Sequence, residues 1–427
     1  MAFTKATFDY LDSGGLINWV TTAKTAAFTA VSGNGYLVDT SSAAITVTLP
    51  ASPSAGDEII IVDYASNAGT NNITLGRNSL KIRGGTDDLV LSTNNQTARL
   101  LYSGATKGWL VTTEAGGITV PLPDLTVDYL VVAGGGGAGG YDGSSYVVGA
   151  NGGNSTFSSI TSTGGGRGGV WNATTGNQNG GSGGGASGNT SAGNAVTTPV
   201  TQGNGGGSAS SPGTANGAGG GGGGAGTAGG NGSGTVYGSG GTGLAVNILN
   251  ATNATSESVG EVSGSDVYYS GGGAAGGWNQ YGQTLGSPGL GGGGAGGLDS
   301  AGGNGTPNTG GGGGAGDNGI GADHGGGGAG GLRTSYSNSS SINGHNESSL
   351  DLSVSTNYTV SVGAGGSAGG AYGGTGGSGV VILRYPSVYS IAVGSGIIEA
   401  GGSPFTESSD KISVFTAGTG TITFAEA

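Results

Sequence analysis

Six islands of glycine and alanine lie between Gly134 and Gly331, and no hydrophobic core can be built from them. They are GGGGAGG (134–140), GAGGGGGGAG (217–226), GGGAAGG (271–277), GGGGAGG (291–297), GGGGGAG (310–316) and GGGGAGG (325–331). A residue without a side chain adds nothing to apolar burial. Bare main chains can, however, approach one another closely and hydrogen-bond directly. Such a segment is either a flexible linker or a solid made of backbone.

The second alternative has a definite physics. Polyglycine can adopt the polyproline II helix, with three residues per turn, ~3.1 Å rise and no internal hydrogen bonds. A seven-residue island then spans roughly 22 Å, and its N–H and C=O groups all point outward. If buried, they must find partners. Neighbouring helices can supply them only where no side chain intervenes, and the recurring single alanines at 138, 225, 295, 315 and 329 are then expected to turn their methyls outward. Ordering one residue costs ~1–2 kcal/mol, and one net hydrogen bond returns ~0.5–1.5 kcal/mol. A lone island therefore cannot hold itself together, whereas several packed side by side and closed at their ends can.

The borders favour packing. The glycine stretch opens with LTVDYLVVAGGGG and closes with NYTVSVGAGG followed by SGVVILRY. These are the strongest β signals in the segment, and they predict that its first and last strands pair. A Gly/Ser linker has no use for such brackets. Collagen demands a strict Gly-X-Y period, which is absent. A phosphate-cradling glycine loop follows one strand and opens a helix, whereas here the motif repeats with no helix signal.

The fold expected is an all-β N-terminal module followed by a glycine-rich domain of packed polyproline/polyglycine II helices bracketed by β-strands, with essentially no α-helix. Residues 1–21 read as an N-terminal docking arm. Residues 22–115 read as a β-sandwich-like module, with strands at AITVTLP (44–50), EIIIVDY (58–64), NITLG (72–76), ARLLYS (98–103) and GWLVTT (108–113). Its core is expected from Ile45, Val47, Leu49, Ile59, Ile61, Leu100, Trp109 and Val111. Residues 116–124 form a linker, 125–385 the glycine-rich domain and 386–427 a C-terminal β segment. In that last segment KISVFTAGTGTITF (411–424) resembles a hairpin turning at Gly-Thr-Gly.

Charge narrows the partners. The chain has 427 residues with 107 glycines, 11 Lys and Arg, 24 Asp and Glu, and a net charge of −13. Nucleic acid is not expected as a partner, because phosphate binding needs clustered cations. Cysteine is absent, which excludes disulfides and zinc-thiolate sites. No apolar run reaches the ~18 residues of a membrane span. The opening MAFTKATFDYLDSGG lacks the apolar stretch of a signal peptide. Release by cell lysis is one exit left to such a chain, and it points towards a virus particle.

At DYLVVAGGGGAGG, the repeated GGGGAGG islands, YTVSVGAGG and GGSGVVILRY, the chain resembles the glycine-rich domains of bacteriophage tail fibres and distal adhesins of the marine phage type. The stretch AFTAVSGNGYLVDTSSAAITVTLPASPSAGDEIIIVDYA is similar to a β-module of those fibres. The resemblance implies a virion protein of the tail, assembled as a homotrimer. Its N-terminal region would dock on phage tail proteins, and a host surface glycan or outer-membrane protein would be its receptor. It also implies a polyglycine lattice whose loops touch the receptor. The long polar inserts between the first two islands (141–216) prevent transfer of loop positions.

Function concentrates on loops held by a rigid frame, and here the segments between islands carry the aromatics. Tyr141, Tyr146, Trp171, Tyr268, Tyr269, Trp278, Tyr281 and Tyr336, with His324, are the receptor-binding candidates. Such rings offer stiff contact area with a polar tip. The competing reading makes some of them a small core on the lattice flank, and Tyr237 belongs to the same set. His324 and His345 lack metal-site spacing, and Asp323–His324 reads as a loop pair. No metal, no cofactor and no catalysis are expected, since no nucleophile–base set is recognisable. Two other readings stand beside the adhesin: a purely structural virion spacer or decoration protein, and an ice-binding or cell-surface adhesive protein. The second of these needs a regular Ala or Thr row, which the irregular inserts interrupt.

Overall fold

A computed structural model describes residues 17–115, 123–171, 178–188, 190–210, 217–279, 281–319, 322–336 and 347–427. Most of the docking arm (1–16), most of the linker (116–122) and His345 lie outside the described residues. The chain divides into two compact units, Met1–Asp124 and Leu125–Ala427.

The first unit winds as a two-sheet coil. β1 (Asn18–Lys24) is followed by β2 (Phe28–Thr29), β3 (Asn34–Val38) by β4 (Ile45–Thr48), and β5 (Glu58–Asp63) by β6 (Ile73–Gly76). β1, β3 and β5 pair in parallel in one sheet, and β2, β4 and β6 in the other. β7 (Leu89–Leu91), β8 (Thr97–Tyr102) and β9 (Trp109–Ala115) then add antiparallel strands at the later edges. Alternation does the sorting: in β5, Ile59, Ile61 and Asp63 are buried while Glu58, Ile60 and Val62 are only half-buried. The buried set Ile45, Val47, Leu49, Ile59, Ile61, Leu100 and Trp109 forms one core, with Val111 packed on it. β1 begins at Asn18 and joins the first sheet, so the end of the segment read as an arm is part of this module.

The second unit is closed by strands at one end. β10 (Thr126–Val132) pairs antiparallel with the strand Val380–Pro386, setting Tyr129 against Leu383 and Val131 against Val381. The opening and closing strands of the glycine stretch therefore meet, as their composition predicts. On its other edge β10 pairs with Leu332–Thr334. The segment 411–424 does not turn back as a hairpin. It lies inside one strand, Asp410–Glu426, bordered by Val380–Pro386 and Asn357–Ser361 and by Tyr389–Val393, Ile397–Glu399 and Phe405–Glu407. Gly418 (φ +91) lets the strand bend there, and partners before and after that point keep it extended. The C-terminal segment is thus woven into the sheet of the glycine unit.

Between 244 and 269 the chain leaves the lattice for a small α/β layer. Its one helix, α1 (Ala251–Glu257), starts where the Asn250 side chain accepts from the Asn253 amide, an ordinary N-cap. Val246, Ile248, Leu249, Val259, Val267 and Tyr269 pack with Leu130, Val132, Leu332, Val380, Ile382, Ile412 and Val414. This apolar body seals the sheet end of the unit.

From that end the glycine segments run outward and back, and their hydrogen bonds repeat every three residues. The amides of Gly134 and Gly137 donate to Gly153 and Ala150, those of Gly135 and Ala138 to Gly377 and Gly374, and that of Gly136 to Gly328. In the last island Gly325, Gly328 and Gly331 donate to Gly169, Gly166 and Thr163, while Gly326 and Ala329 donate to Gly220 and Gly223. The remaining pair, Gly327 and Gly330, donates to Gly313 and Gly310. Three successive amides thus address three different neighbours, some parallel and some antiparallel. That is the symmetry of the polyproline II helix, not of a strand, whose partners alternate on two sides. Glycine is obligatory for lack of room: a Cβ on Gly135 would lie 2.0 Å from the Gly311 oxygen, and one on Gly222 1.9 Å from that of Gly327.

The alanines depart from expectation. Ala138, Ala225, Ala315 and Ala329 are fully buried, and only Ala295 is exposed. Their methyls fill interior gaps instead of facing out. Ala225 belongs to the apolar body at the sheet end, and Ala218 and Ala275 pack with Tyr237.

Candidate functional site

The lattice has two ends, and its hydrogen bonds say which loops share each. Val132 and Leu332 pair at the sheet end. The islands beginning or ending there turn at the opposite end, where Val170 bridges His324, Gly276 also pairs with His324, and the Ala371 amide donates to the Tyr141 carbonyl. Tyr141, Tyr146, Trp171, Trp278, Tyr281 and His324 all fall at this loop end. Tyr268, Tyr269 and Tyr336 do not.

Those three stand at the sheet end, and full burial removes Tyr269 from the receptor-binding candidates. Tyr269 is fully buried in the apolar body, its strand paired through Leu244–Ala245. Tyr268, next to it, is half-buried. Tyr336 packs against the same body, and its hydroxyl accepts from Arg384 Nη1 at 3.3 Å while the guanidinium carbon lies 5.3 Å from its ring centroid. Tyr269 and Tyr336 belong to the seal of the lattice, and Tyr268 and Tyr269 lie far from Trp278 and Tyr281 although all four flank GGGAAGG, because that island runs from one end to the other.

At the loop end two aromatic pairs stand out. Tyr141 and Tyr146 face each other across a two-stranded turn, ring centroids 5.5 Å apart. Trp278 and Tyr281 meet edge to face at 6.3 Å, a favourable arrangement of ring quadrupoles. The Tyr281 amide donates to Gln283 Oε1 at 2.8 Å, the Asn279 amide to Asp299 Oδ1 at 3.1 Å, and the Tyr237 hydroxyl to the Trp278 carbonyl at 3.1 Å. The loop is therefore held by its own polar contacts while Tyr281 remains 50% exposed. Val236 (47%) and Leu285 (38%) are exposed beside it on linked backbone, since the Tyr237 amide donates to Thr284. Sequence reasoning missed these two. Aliphatic residues standing alone in Gly/Ser/Thr surroundings were the available signal. Trp171 is half-buried, its ring over Gly188, where a Cβ would lie 2.4 Å from the Trp171 ring.

His324 is fully buried and is not a surface contact. Its ring lies 5.8 Å from that of Tyr146, and neither imidazole nitrogen has a hydrogen-bond partner. Burial pushes its pKa down to about 3. Asp323 is buried too. Burial, and then the Asp317 carboxylate, push it up to about 7. The Ser187 hydroxyl donates to the Asp323 carbonyl. Burial also raises Tyr237 and Tyr146, with Asp323 and Asp317 adding to the first and Asp317 and Tyr141 to the second. Beneath the rings therefore lies a layer of buried ionisable groups whose charged forms burial disfavours. Asp142, by contrast, is fully exposed and is held down to about 2 by the amides of Ser144 and Ser145. Among the described residues no group of three His, Cys, Asp or Glu side chains could hold a metal ion. What the arrangement can do chemically is present stiff aromatic and aliphatic contact area, rimmed by carboxylates, on an unyielding base.

Comparison with protein-family models and with curated proteins found no match for this chain.

Proposed function

We propose that the chain is a virion tail fibre or adhesin whose glycine unit holds a host surface receptor at its loop end. The observation that carries this reading is exposed Tyr281, edge to face with half-buried Trp278 and beside exposed Val236 and Leu285, on a frame cross-bonded by main chain in three directions. Binding residues are favoured on loops that a rigid scaffold positions, and rigid aromatic contacts lose little entropy on binding. The role is binding, not catalysis. The N-terminal region serves attachment to the tail, and trimeric assembly multiplies weak contacts. The test is adsorption of the purified chain to intact host cells. The reading requires binding, and it requires that Trp278→Ala with Tyr281→Ala weaken it while leaving the thermal midpoint in place. A chain that binds no host cell, yet is found in particles by antibody labelling, would instead be a spacer.

A further inference from the structure

The first unit contains a cleft that no part of its fold requires. On the outer face of the β2–β4–β6–β7 sheet, a cleft of about 520 Å³ is lined by Thr46, Thr48, Gly76, Arg77, Asp87 and Asp88, among others. Register opens its floor. β4 and β6 pair Thr46 with Thr74 and Thr48 with Gly76, so the outward row of hydroxyls lacks one side chain. A Cβ at Gly76 would meet nothing closer than 3.6 Å, the Thr46 Cγ2. That is ordinary contact, and Gly76 is not among the positive-φ residues. Neither packing nor backbone conformation demands glycine there, in contrast to the lattice glycines.

The rim is built with strain. Asn78 (φ 51) and Ser79 (φ 67) are consecutive non-glycine residues in the left-handed region, a costly arrangement found where geometry serves a site. It is tied down: the Asn78 Nδ2 donates to the Leu49 carbonyl at 2.9 Å, and the Arg77 amide to Asp88 Oδ1 at 2.8 Å. Arg77 Nη1 donates to the Leu80 carbonyl at 3.2 Å. The guanidinium and the Asp88 carboxylate are thus oriented while keeping further donors and acceptors.

The chemistry of the lining selects its ligand. Hydroxyls form the floor, two carboxylates and one guanidinium the sides, and no aromatic or large aliphatic wall is present. An apolar ligand finds no surface to bury. A polyanion meets two carboxylates against one cation. Vicinal hydroxyl groups, however, match carboxylate and guanidinium forks as donors and acceptors. We propose that this cleft binds a neutral saccharide unit. The inference stands apart from the loop-end reading and would give the first unit a ligand of its own.

Saturation-transfer NMR on the full chain tests it, with methyl glucoside, galactose and N-acetylglucosamine as neutral probes and glucose 6-phosphate as the charged one. Transfer to at least one neutral probe is expected. Gly76→Val, which fills the floor, should weaken it at least tenfold, and Thr46→Val with Asp87→Asn, both exposed positions, should do the same should the first variant be unstable. Trp278→Ala with Tyr281→Ala should leave it unchanged. Absence of transfer to every neutral probe, transfer confined to the phosphorylated sugar, or transfer indifferent to both sets of cleft variants would overturn the proposal. So would transfer that is lost only with the loop-end variants, because the sugar would then sit at the other site.

Discussion

The amide of Gly136 donates a 2.8 Å hydrogen bond to the carbonyl of Gly328, and the Gly136 carbonyl accepts from Gly313 at 2.9 Å. One residue thus ties three distant segments together without any side chain. The same geometry leaves no space for one: a Cβ on Gly327 would lie 2.1 Å from the Gly136 oxygen. Gly327→Ala is expected to destabilise the glycine unit by at least ~2–3 kcal/mol, since overpacking against backbone cannot be relieved by rotamer change. Gly205→Ala, whose nearest atom would lie 3.3 Å away, should cost far less. Denaturant midpoints of the two variants check this.

Tyr269 separates packing from function. Its hydroxyl is buried without a hydrogen-bond partner, and burial raises its pKa. Tyr269→Phe removes an unsatisfied group and should be neutral or stabilising by up to ~1–2 kcal/mol. Tyr269→Ala opens a cavity and should cost ~3–5 kcal/mol. Thermal denaturation of both variants decides, and host-cell binding by the Phe variant should match that of the parent.

The buried acid at the loop end predicts a pH dependence with a definite sign. Asp323 is raised from 3.8 to about 7, so between these values the folded state holds a proton that the unfolded state releases, and stability falls as pH rises. Asp323→Asn should therefore gain on the parent from pH 4 to pH 7, by at most about 4 kcal/mol. Unfolding of parent and variant at pH 4, 5.5 and 7 measures the difference.

His324 acts in the opposite direction. Its pKa is lowered from 6.5 to about 3, so the unfolded state takes up a proton first as pH falls. Stability is complete above 6.5 and is lost progressively towards pH 3. The parent should lose stability relative to His324→Gln over that range. Unfolding curves for the two proteins at pH 7 and pH 4 check it, and a constant difference would mean that the imidazole is solvated.

How much of this was legible in sequence depends on side chains. In the first unit the alternation in EIIIVDY and AITVTLP marks strands and core residue by residue. The parallel winding of β1, β3 and β5 is set by pairings that the local pattern does not encode. In the second unit the bracketing DYLVV and VVILRY announce a closed body. Inside it, GGGAAGG has no periodicity from which direction could be read, so Tyr269 before it and Trp278 after it look alike though they stand at opposite ends. The Gly-Thr-Gly of 418–420 reads as a turn locally, yet partner strands such as Asn357–Ser361 and Ile397–Glu399 keep it extended. α1 escaped notice because ATNATSE carries weak helix formers and rests on the Asn250 cap and on packing.

Amide hydrogen exchange of the native chain, resolved along 217–226 and 325–331, addresses the central claim most directly. If three successive main-chain amides are each bonded to a different neighbour, the bonded amides of 220–226 and 325–331 exchange slowly and in step with unfolding of the whole unit. Exchange of these glycine amides within seconds, while those of Val380–Pro386 stay protected, would mean that the sheet folds without the lattice and that the loop end has no rigid base.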